Sequence, residues 1–125
     1  MAFLRSRIRS FKPALSGWWF VLRTQQNAWI HAIVTILVFL LSWWLQISRL
    51  EWAAIVLTVA LVWMAEFLNT ALEAVVDLAS PSEHPLAKVG KDIGAAAVLI
   101  SALAAVIVGL LILAPPLLEK IRALL

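Results

Sequence analysis

The chain has 125 residues, 64% hydrophobic and only 14% charged, with a net charge of +3 and a mean hydropathy of +1.00. This composition excludes an ordinary soluble protein and leaves no room for a second globular domain, so residues 1–125 read as a single small all-α integral membrane domain. Cysteine is absent, which excludes disulfides, thiolate metal sites and a cysteine nucleophile, and the modest, unevenly placed basic charge points to a membrane surface and not to nucleic acid.

Residues 1–24 place Leu4, Ile8, Phe11, Leu15, Trp18 and Leu22 on one narrow helical face, with Arg5, Arg9, Lys12 and Arg23 to one side of it. The spacing predicts an amphipathic surface helix; a basic tail that only sets topology is the alternative reading. Pro13 predicts a break near Lys12 and a second helical piece that starts at the proline. Residues 28–47 are mostly apolar and carry no formal charge, which at about 1.5 Å per residue spans the ~30 Å hydrocarbon core as a first transmembrane helix. His31 reads as a packed or interfacial histidine, because no second histidine or acid lies at ligand spacing in that span. A tight turn follows, ringed by Trp43, Trp44 and Trp52 as interfacial aromatics.

The second helix, 51–78, is apolar through Ala65 and then reads AEFLNTALEAVVD from Ala65 to Asp77. Glu66, Asn69, Glu73 and Asp77 fall within an arc of roughly 80° on one face. Glu66 enters near the far side of the hydrocarbon and Asp77 emerges about 16 Å beyond it, so this acidic stripe straddles one membrane surface. Polar groups kept beside a membrane-length apolar run are a functional-site hypothesis in themselves. Counting charges, Arg5, Arg7, Arg9, Lys12, Arg23, Lys88 and Lys91 lie on the stripe's side, against Arg49, Lys120 and Arg122 on the other. The positive-inside rule therefore places the stripe and the N-terminus in the cytoplasm.

Ser80, Pro81, Ser82 and Pro85 mark a turn, with Pro85 suited to the first position of the next helix. That helix, 85–114, carries Lys88, Lys91 and Asp92 early and becomes a third span from Ile93 to Ala114, where Pro115 and Pro116 are expected to end it. Gly90 and Gly94 form a GxxxG pair, and Ala97, Ser101, Ala105 and Gly109 recur every fourth residue. Such a series favours close helix contact, either within the chain or between copies.

Carboxylates at headgroup height, with lysines a short turn away, are the parts that phosphoryl transfer uses. Carboxylates hold Mg²⁺, lysines neutralise phosphate oxygens, and one carboxylate accepts a proton from the attacking hydroxyl. The four glycines, at 17, 90, 94 and 109, make no Walker-type loop, so a nucleotide site here is built otherwise.

The run from Glu66 to Asp77, followed by His84-Pro85-Leu-Ala-Lys88-Val-Gly-Lys91-Asp92, resembles the signature of the prokaryotic diacylglycerol kinase family, and most closely its undecaprenol kinase branch. Similarity extends weakly from about Phe11 to Leu111. The resemblance implies a three-span inner-membrane lipid kinase that assembles as a homotrimer with composite active sites and uses ATP with Mg²⁺. It implies Glu66 as general base for the lipid hydroxyl with Asn69 beside it, and Glu73 as metal ligand. It further implies nucleotide contacts from Asp77, from the turn Ser82, Glu83 and His84, and from Lys91 and Asp92. Lys88 reads as an exposed charge paired with Asp92. In one respect the chain departs from the family: where a glutamate usually shares the metal before the first span, Gln25 stands here, or Gln26 if the alignment slips by one. An amide offers Mg²⁺ a neutral oxygen and no charge. Two other readings stay open: a homologue with a weakened metal site that acts as a lipid-binding component, and a small ion-coupled transporter, for which intramembrane acids also serve.

Overall fold

A computed structural model describes residues 2–80, 82 and 84–125, with the side chains of residues 2–10 outside the description. The described chain forms four helices: α1 (Ala2–Thr24), α2 (Gln26–Leu45), α3 (Arg49–Ala79) and α4 (Pro85–Arg122). The last three are long and apolar enough to cross a membrane. At about 1.5 Å per residue α2 matches the hydrocarbon core, whereas α3 and α4 are longer than it and project beyond.

The connections are short because their residues cap helices efficiently. α2 closes with Gln46 in the left-handed region at φ 56°, where its Nε2 donates to the Trp43 carbonyl at 2.7 Å. α3 opens with a reciprocal capping box. The Glu51 N–H donates to Ser48 Oγ, and the Ser48 N–H donates to Glu51 Oε2 at 2.7 Å, so two otherwise unpaired N-terminal donors are satisfied. α4 opens with Pro85 in its first turn and the Leu86 N–H donating to His84 Nδ1.

Two expectations from the prolines fail. α1 runs unbroken through Pro13, and α4 runs through Pro115 and Pro116 to Arg122. A proline removes a single donor from the ladder, and its ring disturbs only the preceding turn. Beyond the double proline, Lys120 supplies a tertiary anchor: its Nζ donates to the Trp44 carbonyl at 2.5 Å and lies 4.2 Å from the Trp44 ring centroid. That contact joins the C-terminal ends of α2 and α4, so the two helices run in the same direction with α3 antiparallel between their ends.

Inside the chain, α3 and α4 pack most extensively, and α1 docks through Trp18, whose ring centroid lies 4.7 Å from those of Trp63 and Phe67. Val21, Ala28 and Trp63 form the small buried core at this end. Most of the apolar surface of α4 faces outward, its buried residues being Gly94, Val98 and Leu113. That leaves it for lipid tails or other helices.

Candidate active site

The end of the bundle where α2 begins and α3 finishes collects the polar residues. Asn69 and Glu73 are one helical turn apart, and Asn69 Nδ2 donates to Glu73 Oε1 at 3.1 Å. From the start of α2, Gln25 Nε2 donates to Glu73 Oε2 at 3.2 Å. Gln25 occupies the N-cap position of α2, yet its side chain makes no capping bond, because the amide is committed to Glu73 instead. Both oxygens of the Glu73 carboxylate are thus held by amides from two helices.

Glu66 lies two turns deeper and is 1% exposed, the largest fully buried side chain described. Its neighbour across the helix gap is His31, whose Nε2 stands 3.7 Å from Glu66 Oε2. Among the described residues neither atom has a hydrogen-bond partner, and neither has Asn69 Oδ1. Thr70 Oγ1 donates to the Glu66 backbone carbonyl at 2.8 Å. His31, read from the sequence as a packed or interfacial histidine, has a side chain 14% exposed, and its carboxylate partner comes from another helix, beyond the reach of a local pattern.

Gly94 of α4 explains how these helices approach. A Cβ there would collide with Asn69 Oδ1 and come within 3.2 Å of Leu72 Cδ2, while one at Gly90 would make an ordinary contact with Val76 at 3.8 Å. Of the GxxxG pair, it is therefore Gly94 that sets the spacing between α3 and α4 beside the polar cluster.

Past Glu73, an open cleft of about 710 Å³ is lined by Asp77, Ser82, His84, Lys88, Lys91 and Asp92, among others. Five of these were singled out from the sequence as nucleotide contacts; Glu83, the sixth residue named for that role, lies outside the described residues. Lys88, which reads from the sequence as an exposed charge, also lines the cleft while pairing with Asp92 at 2.8 Å. Lys91 Nζ meets Asp77 Oδ1 at 2.5 Å. That hydrogen bond holds the Lys91 ammonium, which precedes the apolar run of α4, above the ordinary lysine range. Both pairs are exposed enough to exchange partners at little cost.

Among the described residues, no group of three or more His, Asp or Glu side chains is arranged to hold a metal ion. The donor set at Glu73 still fits Mg²⁺. It is entirely oxygen, with one carboxylate and the Gln25 amide oxygen reachable by rotation of the amide. Mg²⁺ is commonly held by one or two carboxylates and completes its shell from phosphate and water.

The family model described as prokaryotic diacylglycerol kinase matches residues 12–113. A diacylglycerol kinase of Synechocystis sp. is 46% identical over 111 residues, which are 88% of this chain and 63% of that protein. An undecaprenol kinase of Bacillus subtilis is 39% identical over 109 residues, 87% of this chain and 89% of the relative. A diacylglycerol kinase of Escherichia coli is 36% identical over 87 residues, 64% and 71% of the two chains. The chain thus spans less than two thirds of the Synechocystis protein and most of the Bacillus one.

Proposed function

The chain belongs to the prokaryotic diacylglycerol kinase family, and from that premise we propose that it is an ATP-dependent lipid kinase. It transfers the γ-phosphate to the hydroxyl of undecaprenol or diacylglycerol at the cytoplasmic face of a prokaryotic inner membrane. The observation that carries the reading is the continuity of the site. Buried Glu66, amide-held Glu73 and Asp77 at the cleft follow one another along a single face of α3, with Lys91 of α4 meeting Asp77 across the cleft.

The reaction follows from those positions. Glu66, at lipid depth, takes the proton of the acceptor hydroxyl. The hydroxyl oxygen forms a bond to the γ-phosphorus while the bond from phosphorus to the bridging oxygen breaks, and its electron pair leaves with ADP. Asn69, fixed to Glu73, lies between the base and the phosphates and orients the reacting groups. Lys91 and Lys88 release Asp77 and Asp92 to meet phosphate oxygens, and Ser82 and His84 line the nucleotide cleft. Glu73 and Gln25 would hold Mg²⁺, which when bound offsets the charge on the phosphate oxygens.

The acceptor arrives from the bilayer and MgATP from the cytosol, so neither has to cross the membrane. The exposed apolar face of α4 supports assembly as a homotrimer, in which neighbouring copies would complete the open cleft. α1 serves as the interfacial helix, held against α3 by Trp18. Between acceptors, the Bacillus undecaprenol kinase is the relative that this chain spans more fully, which favours undecaprenol.

The test is phosphate transfer from MgATP to each lipid by purified protein, with Glu66→Gln alongside. Transfer by the wild type and a loss of about 10²-fold or more in the variant are expected for removal of a general base. No transfer to either lipid, or an unimpaired variant, would overturn the reading.

A further inference from the structure

His31 lies on α2 six residues beyond Gln25, as Glu66 lies seven residues before Glu73 on α3. The helices are antiparallel, so α2 meets the α3 carboxylates twice: Gln25 at Glu73 and His31 at Glu66. The first contact is a formed hydrogen bond. The second brings together a ring nitrogen and a carboxylate oxygen, both buried and both without a partner among the described residues, at 3.7 Å. A buried donor and a buried acceptor left unmade at this separation are complementary, and a movement of under about 1 Å would bring them within hydrogen-bond distance.

The surroundings leave His31 as the group for this task. Glu73 has both oxygens engaged by Gln25 and Asn69, and Lys91 is paired with Asp77 at the cleft. The imidazole itself is steadied by Trp63, edge-on with a centroid separation of 6.2 Å. Trp63 is in turn fixed by its Nε1–H donating to Thr35 Oγ1 at 3.2 Å. Thr35 stands one turn beyond His31 on the same helix, so ring, tryptophan and helix form a closed frame.

We propose that His31 is a positioning residue for the reaction: its Nε2–H donates to Glu66 Oε2 and fixes the carboxylate so that Oε1 is the oxygen offered to the acceptor hydroxyl. The role rests on the lipid-kinase reading above. It predicts that His31 acts on turnover and not on the binding of either substrate, because it touches the base and neither the cleft nor the phosphates.

His31→Gln and His31→Met separate this role from packing, since the two side chains are alike in length and only glutamine keeps an N–H donor. Steady-state kinetics with the full chain in lipid–detergent micelles should show kcat reduced at least about tenfold in His31→Met, with KM for MgATP and for the lipid within about twofold of wild type. His31→Gln should stay within about threefold of wild type. Because the ratio of the two variants carries the test, a shared loss of stability does not obscure it. Equal kcat in the two variants, or a His31→Met effect confined to KM, would overturn the positioning role while leaving the kinase reading intact. A wild-type protein that phosphorylates neither lipid would overturn both.

Discussion

Gln25 Nε2 donates to Glu73 Oε2 across 3.2 Å, tying the first residue before α2 to the penultimate turns of α3. An amide here does two things that a carboxylate would not. It holds Glu73 in place without a cation, and it adds no negative charge to the site. In Gln25→Glu two carboxylates would face each other, so the metal-free protein should lose thermal stability through like-charge repulsion. Mg²⁺ should restore it, and the Mg²⁺ concentration for half-maximal activity should fall by about tenfold. Thermal unfolding in detergent with EDTA and with Mg²⁺, beside a Mg²⁺ titration of activity, checks both halves.

The same bond predicts the outcome of metal removal. With Glu73 held at Oε1 by Asn69 and at Oε2 by Gln25, chelation by EDTA should abolish phosphate transfer while shifting the unfolding midpoint of the wild type by no more than about 2 °C. A protein whose fold depended on the ion would instead unfold as the metal left. A joint loss of activity and structure would contradict the amide-held carboxylate.

Gly94 and Gly90 should respond oppositely to alanine. At Gly94 the new methyl would meet Asn69 Oδ1 and Leu72, and overpacking of this kind costs about 1–3 kcal/mol. Asn69 would be driven from Glu73, so turnover should fall at least tenfold. At Gly90 the methyl would find Val76 at ordinary contact distance, and helix propensity alone favours alanine by about 1 kcal/mol. Gly90→Ala should therefore keep full activity and equal or higher stability in the same pair of assays.

How much of this was legible in the sequence depends on whether the information is local. The three spans follow from apolar length, and the stripe from helical spacing on α3. The Ser48 and Glu51 capping box is equally local, a serine three residues ahead of a glutamate at the start of an apolar run. His31 and Glu66 are on different helices, and their meeting depends on the register between α2 and α3, which neither helix's own pattern carries. The continuation of α4 was hidden for a related reason. Pro115 and Pro116 argue locally for a stop, whereas the contact made beyond them, Lys120 on Trp44, comes from the far end of another helix. The cleft gathers Asp77, His84 and Lys91, which lie close in sequence on one motif and its following turn. Lys88 joined them because one helical turn from Asp92 keeps it on the same rim.

Lys91 and Lys88 share the cleft but differ in what surrounds them. Lys91 is the more enclosed, 38% exposed against 79% for Lys88, and it reaches across to α3, whereas Lys88 pairs with Asp92 of its own helix. A phosphate entering the cleft would gain more from the less hydrated ammonium. Lys91→Met should raise KM for MgATP by about tenfold or more with a smaller change in kcat, and Lys88→Met should raise it by less than about threefold. Both effects should shrink as ionic strength rises. Equal KM values in the two variants would remove the distinction.

The anchor at the opposite end should separate stability from catalysis. Lys120 combines a hydrogen bond to the Trp44 carbonyl with a cation–π contact to its ring, and a cation–π contact is worth about 0.5–1 kcal/mol at exposed sites. Lys120→Ala should lower the unfolding midpoint in detergent by a few degrees. The contact joins the ends of α2 and α4 that lie farthest from Glu66 and Glu73, so kcat and both KM values should stay within about twofold of wild type. Lys120→Arg retains a cation over the ring and should recover most of the lost stability. If Lys120→Ala slowed phosphate transfer without lowering the midpoint, the anchor would be coupled to the site along α4, and its role could not be confined to holding the helix past Pro115 and Pro116.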